Sequence, residues 1–304
     1  MYSNRIRRVT FLFQRFLQLY LPFFSLYQNL AIADPRINPN RLSVLRNAKQ
    51  SDVVKYPFPH VILRECLPED IYGQLEDEYP TLETIFSLSS HHHASSNKRV
   101  NIQASKVLRE NSTGISDLWI EFVKYHTSQS FFNEVVDIFG YDLERYRRDV
   151  PLKMGKSFQT LRTGVRNLKS RNKPDIVLDA QIAMNTPVRR QGTTVRGEHV
   201  DHLNEVYAGL LYFRSPDDTS SGGSLEILEC VRGKTCKKLP KTDHRSRSWQ
   251  VQFNPKNMRT MAEVPYEKNT LVMFVNGRTS YHRVSKRSQT MFPRRLVNLI
   301  GEYH

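Results

Sequence analysis

Apolar residues are spread unevenly along the chain. Behind Arg5, Arg7 and Arg8 an apolar and aromatic run extends from Phe11 to Leu30 and closes on Ala31-Ile32-Ala33. Gln14, Arg15, Gln18 and Pro22 interrupt it, which raises the cost of placing it inside a bilayer. The pattern admits an export signal, an amphipathic anchor lying on a membrane surface through residues 5–33, or an extension docked on the fold. From Pro57 to Leu63 the chain reads as a short strand, and Leu67-Pro68-Glu69-Asp70 opens a helix with Ile71, Leu75 and Tyr79 at four-residue spacing. A second helix is predicted from about Ser116 to Phe139, with Leu118, Trp119, Phe122, Val123 and Phe131 as its apolar stripe. Residues 85–115, including His91-His92-His93, are polar and read as a loop rather than a metal tract.

Beyond residue 180 the period shortens. Tyr207 to Phe213, Ser224 to Leu228, Trp249 to Phe253, Thr270 to Val275 and Leu296 to Ile300 are β-type runs separated by Gly, Pro, Asn and Ser. These patterns predict a mainly β protein with flanking helices (α+β), a sandwich or barrel buttressed by helices. They also divide the chain into a basic, apolar extension (1–54) and one domain (55–304).

Composition narrows the class. With 304 residues, 39% hydrophobic and 25% charged, the chain can bury a sizeable core, which excludes wholesale disorder. Cys66, Cys230 and Cys236 are too few for a disulfide scaffold and are expected as free thiols in a cytoplasmic protein. Export or membrane association through the N-terminal segment is the alternative location. The net charge of +15 is distributed as +7 over residues 1–50, −6 over 51–150, +8 over 151–250 and +6 over 251–304. That distribution, without interleaved aromatic and basic residues of a recognised module, argues against nucleic acid as the partner.

The candidate chemistry lies in Arg196-Gly197-Glu198-His199-Val200-Asp201-His202. In an extended chain His199 and Asp201 project to one face and can chelate one metal, while His202, the alternative ligand, lies on the other face. Far downstream, His282 follows an apolar strand and an Asn276-Gly277 turn and would be the third ligand. Two imidazoles and one carboxylate form the set used by non-haem iron(II) oxygenases. Arg294 and Arg295 follow, and either could grip a carboxylate; Arg294 is preferred because it shares a strand face with Asn298. Tyr212 could hydrogen-bond a cosubstrate or serve the core. Gly222-Gly223 reads as a strand-entering turn, since no Lys-Ser/Thr follows as in a phosphate loop.

On these residues the chain resembles the 2-oxoglutarate- and iron(II)-dependent oxygenases, in their prolyl-hydroxylase-like branch. The similarity covers residues 55–304. It is carried by Pro57-Phe58-Pro59-His60 with the Leu67-Pro68 helix, His199-Val200-Asp201, the strand Tyr207 to Phe213, Gly222-Gly223-Ser224-Leu225-Glu226, and the run from Val264-Pro265 through His282-Arg283-Val284 to Arg294. The resemblance implies a double-stranded β-helix (jelly roll), with iron(II) on His199, Asp201 and His282 and the distal carboxylate of 2-oxoglutarate on a late arginine. It also implies O2 as co-reactant, ascorbate as a candidate reductant, and hydroxylation of a small-molecule, peptide or glycan substrate with release of succinate and carbon dioxide. The interval from Asp201 to His282 is long for this family because residues 230–262 carry a basic insertion. The rival readings are a cupin-like metal-binding jelly roll without oxygenase activity, which would not need Arg294, and a nucleic-acid demethylase-like oxygenase.

Overall fold

The computed structural model describes residues 38–89, 95–109, 113–170, 172–190, 192–234, 236 and 251–303. The N-terminal apolar run, His91-His92-His93, Trp249 and the Lys/Arg cluster from Lys237 to Arg247 lie outside the described residues. Residues 39–304 form one unit.

Twelve strands are described: β1 (His60–Arg64), β2 (Arg99–Ile102), β3 (Thr163–Val165), β4 (Ile176–Asn185), β5 (His199–Val200), β6 (Glu205–Tyr212), β7 (Leu225–Cys230), β8 (Val251–Gln252), β9 (Met258–Val264), β10 (Thr270–Val275), β11 (His282–Val284) and β12 (Arg294–Tyr303). One sheet runs β1-β10-β6-β12-β4-β2, with β3 added parallel to β4; the other runs β8-β5-β11-β7-β9. From β4 onward the chain passes back and forth between the sheets, and within each sheet these strands pair antiparallel. This winding is the double-stranded β-helix that the resemblance implies. Between the sheets Leu210, Leu225, Ile227, Val272, Phe274 and Leu296 close a buried core.

The helices α1 (Glu69–Asp77), α2 (Leu82–Leu88), α3 (Asp117–His126) and α4 (Gln129–Tyr146) accompany the larger sheet. Tyr79, just past α1, donates its hydroxyl to the carbonyls of Ala183 and Leu296 at 2.8 and 2.9 Å, tying the helical side to β4 and β12. Trp119 of α3 donates its indole N–H to the Leu75 carbonyl at 3.1 Å.

Several expectations are corrected. The helix expected over 116–139 is two helices: Ser116 caps α3, and Ser128 starts α4 by accepting from the Phe131 N–H. A serine that satisfies the first free N–H groups of a new helix favours a restart over continuation. The polar region 85–115 contains the end of α2, strand β2 and a short helix, Ala104–Val107. The supposed insertion 230–262 contains most of β9, which pairs along β7 and belongs to the smaller sheet. Leu42, Val44 and Leu45, assigned by sequence to the extension, are buried, and the Val44 N–H donates to Nε2 of His126 in α3 at 3.3 Å. Cys230 and Cys236, expected as free thiols, form a disulfide; Cys66 is free and buried, and burial pushes its thiol up to about 12. Among the described residues, no helix is long and apolar enough to cross a membrane.

Candidate metal and anion site

β5 and β11 are short neighbours in the smaller sheet, and their register sets His282 directly opposite His199. Asp201 follows two residues after His199 and turns its carboxylate between the imidazoles: Oδ1 is 3.6 Å from Nε2 of His199 and Oδ2 is 3.5 Å from Nε2 of His282. The three ligand atoms all lie within 4.8 Å of one another. Each ring is oriented from behind, His199 through Nδ1 to the Gly197 carbonyl at 2.6 Å and His282 through Nδ1 to the Ser280 carbonyl at 2.9 Å. With Nδ1 carrying the proton, both rings present an Nε2 lone pair toward Asp201, the orientation that a carbonyl behind the ring imposes on metal-binding histidines.

The protonation states agree. Burial, then His282 and Arg196, push the His199 imidazole down to about 3, and burial likewise lowers His282. Burial opposes ionisation of Asp201, but His282, Arg196 and His199 around it outweigh burial and hold the carboxyl well below the usual carboxylate range. Neutral imidazoles beside an ionised carboxylate are the forms that bind a divalent cation. On the outer side of the sheet Arg283 braces this geometry, with Nη1 2.7 Å from Glu198 and Nε 2.7 Å from Glu226, linking the segments around β5, β11 and β7.

The three ligands open onto a cavity of about 460 Å³ lined also by Arg99, Arg166, Gln181, Arg196, Glu205 and Asn298, with Leu210, Leu225, Phe274 and Val284 as apolar wall. Around it stand arginines that carry buried nitrogens with unused hydrogen-bonding capacity. Arg196 spends Nη1 on Asp201 at 3.2 Å, while its Nη2 has no hydrogen-bond partner among the described residues. The same holds for Nε of Arg99, Nη1 of Arg287, Nη2 of Arg294, Nδ2 of Asn185 and the hydroxyl of Tyr212. Burial first, then Arg294 and Arg196, lower Arg99 to about 10, which leaves it cationic at neutral pH. Burial, then Asp201, pushes Glu205 well above the usual carboxylate range.

The two candidate arginines separate cleanly. Arg294 points inward: it is fully buried, donates Nε to the Gly223 carbonyl at 2.8 Å, and lies over the Tyr212 and Tyr266 rings at 4.8 and 5.1 Å. Arg295 takes the opposite face, where Nη2 meets Glu76 at 2.7 Å and Nε meets the Phe213 carbonyl at 2.9 Å. Gly222-Gly223 is the turn into β7. At Gly222, with φ of +77°, an added Cβ would stand 1.8 Å from the Lys286 carbonyl oxygen, so glycine is required there. Tyr212 belongs to the core and also faces Arg294 with an unused hydroxyl. His202 stands outside the cluster, its Nδ1 accepting from the Asn204 N–H at 3.3 Å.

Sequence reasoning missed Arg99, Asn185 and Arg287. Arg99 sits in the stretch read as a loop, and its register partner across the sheet is Asn185, which pairs in turn with Arg294. The signal was the alternation in Arg99-Val100-Asn101-Ile102, where Val100 and Ile102 are buried on one face.

No protein-family model and no curated protein matches the chain. Among solved structures it is similar to a prolyl-4-hydroxylase of Pseudomonas putida, with 11% identity, 88% of this chain and 98% of that chain covered, and a TM-score of 0.42. It is also similar to a Trichoplax adhaerens prolyl hydroxylase solved with a hypoxia-inducible-factor peptide, at 13% identity, 92% and 93% coverage and a TM-score of 0.42. A dioxygenase for auxin oxidation from rice matches at 11% identity, 79% and 72% coverage and a TM-score of 0.42.

Proposed function

We propose that this chain is an iron(II)- and 2-oxoglutarate-dependent dioxygenase that hydroxylates its substrate. The observation that carries the reading is the juxtaposition of His199, Asp201 and His282 with the buried Arg294 guanidinium, which has an unused donor. A metal site alone would not call for the second feature, because burying a cation with an unmet donor is costly unless an anion completes it. A dicarboxylate that reaches the metal at one end and a buried arginine at the other fits both.

The residues suit those groups. His199, Asp201 and His282 would hold the iron and leave the cavity side open. Arg294, kept in place by Gly223 and the two tyrosine rings, would bind the far carboxylate of 2-oxoglutarate, with Asn185 Nδ2 and the Tyr212 hydroxyl as further donors. When bound, iron and 2-oxoglutarate supply oxidative decarboxylation to succinate and carbon dioxide, placing one oxygen atom of O2 in succinate and the other in a substrate C–H bond. The chain contributes position and dryness. Arg196 steadies the Asp201 carboxylate, the Gly197 and Ser280 carbonyls fix the rings, and Leu210, Leu225, Phe274 and Val284 keep water from one wall.

Anaerobic titration with iron(II) tests the ligand assignment. One ion per chain is expected for the native protein, and His199→Ala, Asp201→Ala and His282→Ala should each lose it. Native affinity retained in His282→Ala would overturn the assignment.

A further inference from the structure

The cavity carries more positive charge than iron and 2-oxoglutarate would use. Lys98, Arg99, Arg166 and Arg196 line it, against the acids Asp201 and Glu205. Arg166 is matched from behind by Glu302, 2.9 Å from its Nη2, and Lys98 is exposed to solvent. A divalent ion with Asp201 and Arg294 amounts to two positive charges, which the two carboxylates of 2-oxoglutarate balance. Arg99 and Arg196 remain, and Glu205, even ionised, answers only one of them.

Their placement is specific. Arg99 is on β2 of the larger sheet and Arg196 leads into β5 of the smaller one, so the two guanidiniums approach the cavity from both sheets. Each has a buried nitrogen without a hydrogen-bond partner among the described residues, Nε of Arg99 and Nη2 of Arg196. Arg196 is also 3.2 Å from a carboxylate oxygen of Asp201, so an anion held there lies beside the metal ligands. We propose that the substrate carries an anionic group, a carboxylate or phosphate, that Arg99 and Arg196 hold in this cavity beside His199, Asp201 and His282. Guanidinium forks match both groups in shape and charge. The inference rests on the dioxygenase reading, since it assigns Arg294 and the metal to 2-oxoglutarate and leaves Arg99 and Arg196 to the substrate. The anionic group serves as a handle and is not itself transformed.

The test is calorimetry on the full chain, loaded anaerobically with iron(II). The first arm titrates 2-oxoglutarate; failure to bind refutes the dioxygenase reading itself. The second arm, at saturating 2-oxoglutarate, titrates N-acetyl amino acids against their amides and glycerol 3-phosphate against glycerol, which separates carboxylate from phosphate. At least one anion should bind about ten- to a hundredfold more tightly than its neutral partner, the worth of a charged hydrogen bond. Arg99→Met should erase that preference while 2-oxoglutarate affinity stays within about twofold, and Arg99→Lys, which keeps the charge, should retain part of it. Anions that bind no better than their neutral partners, or not at all, would overturn the proposal. So would a tenfold loss of 2-oxoglutarate affinity in Arg99→Met, which would make Arg99 a second cosubstrate anchor.

Discussion

Arg294 and Arg295 are adjacent in the chain and opposite in surroundings, because successive side chains of a strand leave on opposite faces. Arg294 sits between the sheets without a carboxylate partner among the described residues, whereas Arg295 is satisfied by Glu76 and the Phe213 carbonyl. Replacing Arg294 by Ala should therefore weaken 2-oxoglutarate binding by about ten- to a hundredfold, the equivalent of roughly 1.5–3 kcal/mol. Arg295→Ala should instead lower the melting temperature, since it leaves Glu76 unpaired, and leave the cosubstrate constant nearly unchanged. Parallel titrations and thermal melts of the two variants check this; the reverse pattern would move the role to Arg295. The sequence preference for Arg294 rested on the company of Asn298 on its face, and Asn298 does line the cavity.

At the scale of elements, the candidate metal ligands depend on two strands of only two and three residues, β5 and β11. Such short strands need support beyond their own ladder, and Arg283 supplies it by bridging Glu198 and Glu226. Arg283→Ala should reduce metal affinity by roughly tenfold, at the low end for partners that orient ligands from outside, while far-ultraviolet circular dichroism stays native. Equal metal affinity in the variant would show that the ladder alone sets the geometry. This level also shows what the sequence could carry. Strands with sustained apolar runs, such as β6 and β10, were legible because both faces are buried. β2 was missed because its polar residues are engaged inside the protein, Arg99 lining the cavity and Asn101 donating to Gln181, and β9 because its exposed Arg259, Thr260 and Met261 read as surface. The candidate metal pair was visible in the His199–Asp201 spacing, but the alignment of Arg99, Asn185 and Arg294 exists only through pairing between strands distant in the chain.

For the whole molecule, the buried histidines link stability to pH. His60, His126, His199 and His282 are all lowered below the ordinary histidine value, burial being the first cause in each, and His126 and His199 fall to about 3. Burial holds His126 neutral, and its Nε2 accepts from the Val44 N–H and so has no lone pair free for a proton; the Nδ1 bond to the Phe122 carbonyl acts in the opposite sense without overcoming burial. The unfolded chain takes up protons near pH 6.5 that the folded chain refuses until about pH 3, so between these values stability rises with pH and is lost on acidification. Denaturant melts of the metal-free protein at pH 7, 6 and 5 should show progressively lower midpoints, with a shallower slope in His126→Gln. A flat profile would mean that these rings are solvated in the folded state.

The dioxygenase reading joins the metal ligands of the smaller sheet to the buried arginine of the larger one, so the most direct measurement makes one depend on the other. Anaerobic calorimetry of 2-oxoglutarate against the native protein, with and without iron(II), does this. Binding of one 2-oxoglutarate per chain is expected with the metal, with a loss of at least about tenfold in affinity when the metal is withheld or Asp201 is replaced by Ala. Affinity that is the same with and without iron(II), or no binding in either state, would contradict a shared iron and 2-oxoglutarate site.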